Sequence, residues 1–167
     1  MQEEISQYLP LDFSQESRVW IFQSNRAFTE QEATIIKGQL ADFCKQWRSH
    51  GRSVKGWGDV LFQRFVVMMA DEDVRHVGGC STDTMMRMIQ EFETRFSITL
   101  LDRMLLTFLV DGHPQPLPYA QVKYALAEGH IETDTLLFDS TVQTLQGLQT
   151  KWLVPLNQSW LWSRIAN

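Results

Sequence analysis

The sequence predicts a single α/β or α+β domain. Its expected core is a sheet of roughly four strands with helices packed on it, in the order β-α-β-α-β-α-β-α. Three observations lead there. Runs rich in β-branched and aromatic residues alternate with segments of helical period. One helical segment opens on a capping-box pair, Thr29 and Glu32. The chain has 167 residues, 44% of them hydrophobic and 21% charged, which suffices to bury a core without a disulfide or metal. Strand directions stay open: a ferredoxin-like, partly antiparallel sheet with helices on one face fits nearly as well as a parallel one.

Residues 18–24 (RVWIFQS) read as a buried strand. In the helix that follows, Phe28 holds the N′ position, and its staple partner Ala33 is too small for a good contact. Ile36, Leu40, Phe43 and Trp47 repeat at helical spacing, with Cys44 beside them as core filler. The helix is expected to stop near SHG, with Gly51 left-handed at C′. GRSVKGWGD reads as a loop and residues 60–70 (VLFQRFVVMMA) as one long strand. The unbroken apolar second half of that strand implies cover on both faces.

In HVGGCSTDTMMRMI, residues 76–89, Gly78 and Gly79 are expected to turn the chain tightly. Ser81 or Thr82 would cap a helix there, and Asp83 would complement its dipole in the first turn. Met85, Met88, Ile89, Phe92 and Phe96 give that helix an apolar face. RMLLTFLVDG reads as a third strand, HPQPLP as a proline-rich loop and YAQVKYALAEG as a short helix ending at Gly129. DTLLFD is a weaker fourth strand, and STVQTLQGLQTKWL a last helix stopped before Pro155. Trp160 and Trp162 would dock the tail on the body.

Bulk composition excludes several classes. The net charge is −5 and the basic residues are scattered, the densest group being Lys45, Arg48, Arg52 and Lys55, so nucleic acid is not an expected partner. Cys44 and Cys80 are too few for a disulfide framework or a four-thiolate zinc site. The beginning, MQEEISQYLPLDF, is acidic and lacks the basic and apolar regions of a signal peptide. No run approaches the ~18 apolar residues of a membrane span. A soluble, cytoplasmic protein is the default expectation.

Three fragments suggest a nucleotide hydrolase: VVMMADE, an apolar strand ending in two acids; VGGCS; and GRSVKG, the start of a G-x-x-x-x-G-K-[ST] loop. Trp57 and Gly58, however, stand where that loop needs Lys to neutralise phosphate and a hydroxyl to ligate magnesium. Genuine P-loop ATPase activity is therefore not expected. RVWIFQSNRAF, FVVMMADE and GGCSTD resemble a family of small uncharacterised bacterial proteins that often carry the label "ABC transporter ATPase". With the phosphate loop missing, that resemblance assigns no active residue.

Cys80 lies where a helix dipole would favour its thiolate, with His76 four residues before it, so the pair are the candidate catalytic residues. Arg87 follows Cys80 at C-x6-R, one residue too far for the C-x5-R loop of tyrosine phosphatases. Asp71, Glu72, Asp73, His76, Asp111 and His113 would approach one another if the second and third strands were parallel neighbours. Asp71, Asp73, Asp111 and His113 are then the candidate metal ligands, although no metal or other cofactor is expected. Asn25, Arg26, Ser81 and Asp83 are candidate ligand-binding residues at strand ends and the helix start.

No catalytic constellation is complete. The favoured function is a non-catalytic binding or interaction protein, presenting the Trp-rich tail and HPQPLP to a protein or small-molecule partner, and a homodimer is compatible with it. The alternative is a small-ligand-binding protein or enzyme, with its site at the strand ends and the helix start near Ser81.

Overall fold

The computed structural model describes residues 2–167. Helix α1 (Gln2–Ile5) is tied to the body by burial of Ile5 and by the Gln2 carboxamide, which donates to the carbonyls of Leu148 and Gln149. Strand β1 (Arg18–Gln23) and helix α2 (Glu30–Gln46) follow. α2 begins as its sequence dictates. Thr29 Oγ1 accepts the Glu32 amide at 3.1 Å, and the Glu32 carboxylate accepts the Thr29 amide at 2.9 Å. Phe28 is buried in the same cluster as Ala33, Ile36 and Leu40, so this end is held by packing as well as by the cap.

The helix does not run on to Gly51. It ends at Trp47, which is extended, and β2 (Arg48–Ser49) and β3 (Arg52–Ser53) form a small hairpin. His50 and Gly51, at φ 52° and 76°, are the two residues of its turn. The left-handed glycine is real, but it closes a hairpin instead of a helix. The stretch expected as a loop therefore holds β3 and the start of β4 (Gly56–Leu61).

The long strand expected over residues 60–70 is also a hairpin. β4 turns back into β5 (Phe65–Ala70) through Phe62 and Gln63, both left-handed at φ 54° and 51°, and the Arg64 amide donates to the Leu61 carbonyl at 3.1 Å. Neither residue is Gly or Asn, so only the polar pair Gln63–Arg64 marks the turn in the sequence.

Helix α3 (Gly79–Phe96) buries Met85, Met88, Ile89 and Phe92. After it, β6 (Leu105–Val110) and β7 (His113–Pro118) are joined by left-handed Asp111 and Gly112, at φ 51° and 77°. HPQPLP is thus a strand, not a loop. It is an edge strand, where proline is tolerated. Val110 faces His113 across the two-residue turn, so Pro114, Pro116 and Pro118 fall at the outward-pointing positions. That edge offers no N–H to a further strand.

The 3-10 turn Tyr119–Gln121 leads into α4 (Val122–Ala127), then β8 (Leu136–Phe138). The last long helix expected from the sequence is shorter, α5 (Leu145–Lys151), and its expected final residue, Leu153, opens β9 (Leu153–Pro155). The chain ends with α6 (Trp162–Ile165).

Instead of one β-α alternating sheet, the strands form two main sheets, β1–β5–β4 and β7–β6–β8–β9, with every neighbouring pair antiparallel. The tight β4–β5 and β6–β7 hairpins force that direction for their own pairs, and they lie within segments that read from sequence as one strand and as a strand followed by a loop. β5 is covered on both faces, as its apolar run implies. Val66, Met68 and Ala70 pack toward α2 and α3, while Phe65, Val67 and Met69 join Phe138, Leu145 and Trp152. The outer face of the second sheet packs Leu106, Phe108 and Leu137 against Val122, Ala125, Leu161 and Ile165.

Between the sheets, Thr107 Oγ1 donates to Gln23 Oε1 at 2.8 Å, and Gln23 Nε2 donates to the Leu105 carbonyl. This buried pair satisfies its own polar groups while linking β1 to β6. The chain is one domain of mixed helix and antiparallel sheet, and among the described residues no helix is long and apolar enough to cross a membrane.

Candidate functional site

The segment around Cys80 is a helix start secured by its neighbours. Gly78 is the N-cap of α3 and no side chain caps the helix. Ser81, expected as a cap, is buried and donates its hydroxyl to the Arg48 carbonyl, while Trp47 Nε1 donates to the Ser81 carbonyl at 3.2 Å. Thr82, the other expected cap, donates back to the Gly78 carbonyl at 3.1 Å. The helix begins earlier than the sequence suggested, which moves Asp83 out of the first turn, where it is exposed. Ser49 Oγ accepts the Gly78 amide at 3.2 Å, so the β2–β3 hairpin holds this end. Cys80 and His76 are both exposed, and His76 Nδ1 lies 3.5 Å from Glu72 Oε1.

The candidate metal ligands separate. Asp71 is buried at the end of β5, where its carboxylate accepts the amides of Ser14 and Asp73, each at 3.1 Å, and pairs with Lys55 at 3.7 Å. Asp73 is exposed. Asp111 is in the β6–β7 turn and His113 opens β7, both exposed and in the other sheet. The proximity expected of them required parallel neighbouring strands. Among the described residues, no three His, Cys, Asp or Glu side chains are grouped to hold a metal ion.

Asn25 and Arg26 are engaged in the fold. Asn25 Oδ1 accepts the Thr99 amide at 3.0 Å. Arg26 donates to both oxygens of Glu32 at 2.8 and 2.9 Å, and to the Phe96 carbonyl at 2.7 Å. The Arg26 guanidinium, followed by the Thr29 amide, holds the Glu32 carboxyl down at about 2. Burial raises the Cys44 thiol to about 11 and lowers the Arg64 guanidinium from its usual range.

A cleft lies elsewhere, between the β6–β7 hairpin and α4, with a volume of about 350 Å³. The pairing register puts Phe108 opposite Gln115 and Leu106 opposite Leu117, on the face that α4 covers only in part. Phe108, Ala125 and Ile131 are buried and form its apolar floor. Gln115, Gln121, Tyr124 and His130 are exposed at its rim, with the Tyr124 and His130 rings 6.4 Å apart and tilted 45°.

HPQPLP, which the sequence offers as a presenting segment, contributes Gln115 to the rim; Gln121, Tyr124 and His130 carry no signal in the sequence. The usable signal was Asp111–Gly112, a two-residue hairpin turn between two runs that pair. A second hollow, of about 320 Å³, lies beside the left-handed Phe62–Gln63 turn, with Lys37 and Asp59 in it 3.7 Å apart.

No family model, curated protein or solved structure matches this chain.

Proposed function

We propose that this protein is a non-catalytic binding module that receives a small, mainly apolar ligand in the cleft between the β6–β7 hairpin and α4. The observation that carries this is the cleft: about 350 Å³, with an apolar floor and a few polar side chains around its rim. That volume and lining are typical of small-molecule sites. HPQPLP supplies one wall through Gln115, Pro116 and Leu117. The Trp-rich tail supports the same layer from below, because Leu161 and Ile165 are buried in its core and Trp162 is half-buried against it. By contrast, Arg26, Ser81 and Asp71 already spend their hydrogen-bonding capacity on the fold.

The test is a methyl-NMR titration with a set of small uncharged ring compounds. Binding should shift the methyl signals of Val110, Leu117, Ala125 and Ile131. A set that leaves these unmoved, or instead shifts residues around His76 and Cys80, would overturn the proposal.

A further inference from the structure

The outer strand of a sheet carries a row of backbone donors and acceptors that is blocked, covered or left open to a further strand. Three of the four outer strands of the two main sheets are blocked or covered. β7 carries prolines at its outward positions. At β9, Gln2 Oε1 accepts the Leu153 amide at 2.8 Å, and Pro155 has no N–H. Along β1, the Val19 amide donates to the Gln143 carbonyl at 2.9 Å, and the Gln23 side chain bonds into β6. β4 is the fourth. The Asp71 amide donates to the Lys55 carbonyl at 2.9 Å, which fixes the alternation of the β4–β5 ladder: Trp57, Asp59 and Leu61 bond to β5, while Gly58 and Val60 direct their backbone groups away from it. Among the described residues, the Gly58 N–H and C=O and the Val60 C=O meet no partner. The Val60 N–H is held by Asp59 Oδ1, at 2.7 Å.

The hollow of about 320 Å³ beside the Phe62–Gln63 turn lies along this edge. Asp59, Val60 and Leu61 all line it, although successive strand residues point to opposite faces. A space that touches all three runs beside the strand and not over one face. Ile5 of α1 and Lys37 of α2 stand on either side of it. Its walls carry two carboxylates, Glu4 and Asp59, against one cation, Lys37, which lies 3.7 Å from Asp59. The chain itself has a net charge of −5. Both charges favour a basic partner over a second copy of this chain.

We infer that the free edge of β4 receives an extended basic segment of a partner protein, added as an antiparallel strand with the pattern apolar-x-basic. The middle residue pairs with Val60: its C=O takes the amide that Asp59 now holds, and its N–H reaches the Val60 carbonyl. The basic residue, opposite Asp59, takes over the freed carboxylate. The apolar residue, opposite Leu61, lies against Ile5, which packs in the same core as Leu61. Asp59 then guards the edge while it is empty, by capping Val60, and recognises the segment that displaces it. This surface is separate from the cleft under α4, and neither reading depends on the other.

The experiment is an amide NMR titration of the full chain with three peptides: Ac-STITKTS-NH2, its glutamate counterpart Ac-STITETS-NH2, and the lysine peptide N-methylated at its central threonine. The lysine peptide should shift the Gly58 and Val60 amide signals and bind roughly tenfold more tightly than either of the others. N-methylation leaves the charge in place and removes the N–H that pairs with Val60, so it separates strand addition from simple attraction. D59N keeps an acceptor for the Val60 amide but not the charge; it should cut the preference for lysine over glutamate by roughly threefold or more and retain the discrimination against the N-methylated peptide. An N-methylated peptide that binds as well as its parent, a lysine preference unchanged in D59N, or Gly58 and Val60 signals that stay in place would each overturn the inference. Signals of Gly58 and Val60 that move when the free protein is diluted would show β4 pairing with a second copy, which also overturns it.

Discussion

Arg26 and Glu32 form a two-point ion pair, 2.8 and 2.9 Å long, at the junction of three elements. Glu32 is also the acid of the α2 capping box, and Arg26 reaches the last residue of α3 through the Phe96 carbonyl. One carboxylate thus secures a helix start and, through arginine, the end of the neighbouring helix. These contacts hold together the layer of helices that covers β5.

That arrangement predicts a specific acid sensitivity. The Glu32 carboxyl is lowered to about 2 in the fold, so it stabilises the native state above its unfolded value. The stability is lost as the pH falls from about 4.5 toward 2. In E32Q the glutamine can still close the capping box but carries no charge. The variant should be destabilised by about 0.5–1 kcal/mol at pH 7, because the pair is partly exposed, and match the wild type near pH 2. Thermal melts from pH 7 to 2 measure this, and an undiminished difference at pH 2 would contradict it.

The two cysteines should react very differently. Cys80 is exposed in the first turn of α3, whereas burial raises the Cys44 thiol to about 11. Iodoacetamide at pH 8 should modify Cys80 first and leave Cys44 largely intact in the native protein, because the thiolate is the nucleophile. Mass spectrometry of the time course gives the order; equal rates would show that Cys44 is not protected by the α2 packing.

Two glycines should respond to alanine in opposite ways. At Gly56, a Cβ would lie 2.7 Å from the Trp47 ring, so G56A should cost about 1–3 kcal/mol through displaced packing. At Gly38, inside α2, nothing lies within 4 Å of a Cβ. G38A should therefore stabilise by roughly 0.5–1 kcal/mol. Urea denaturation of both variants is the check, and a destabilised G38A or a neutral G56A would run against this packing.

The part of the fold that was legible in the sequence is the part encoded locally. Thr29 and Glu32 announce α2 because both halves of the capping box lie within four residues. The run from Phe65 to Ala70 announces a doubly covered strand because its apolar side chains alternate between two cores. The turn at Phe62–Gln63 was not legible, since left-handed backbone there is imposed by hairpin packing without Gly or Asn. HPQPLP misled because proline usually marks loops, and only its place at a sheet edge makes three prolines compatible with a strand.

The acids and histidines approach one another only if the second and third strands are parallel neighbours, whereas Asp71 follows β5 and Asp111 follows β6, in different antiparallel sheets. The cleft is assembled from the β6–β7 register and the placement of α4, neither of which any single stretch of sequence displays.

The central claim is tested most directly by titrating quinoline, a small uncharged ring compound, into the wild type and L117K. Leu117 is half-buried on the edge strand and packs against the core under the cleft, so lysine puts a charge on the cleft wall, and a thermal melt of the variant checks that it remains folded. Wild-type binding should shift the Ala125 and Ile131 methyl signals, and L117K should weaken it at least tenfold while the α3 signals stay in place. Undiminished binding in L117K would show that the ligand sits elsewhere and contradict the claim.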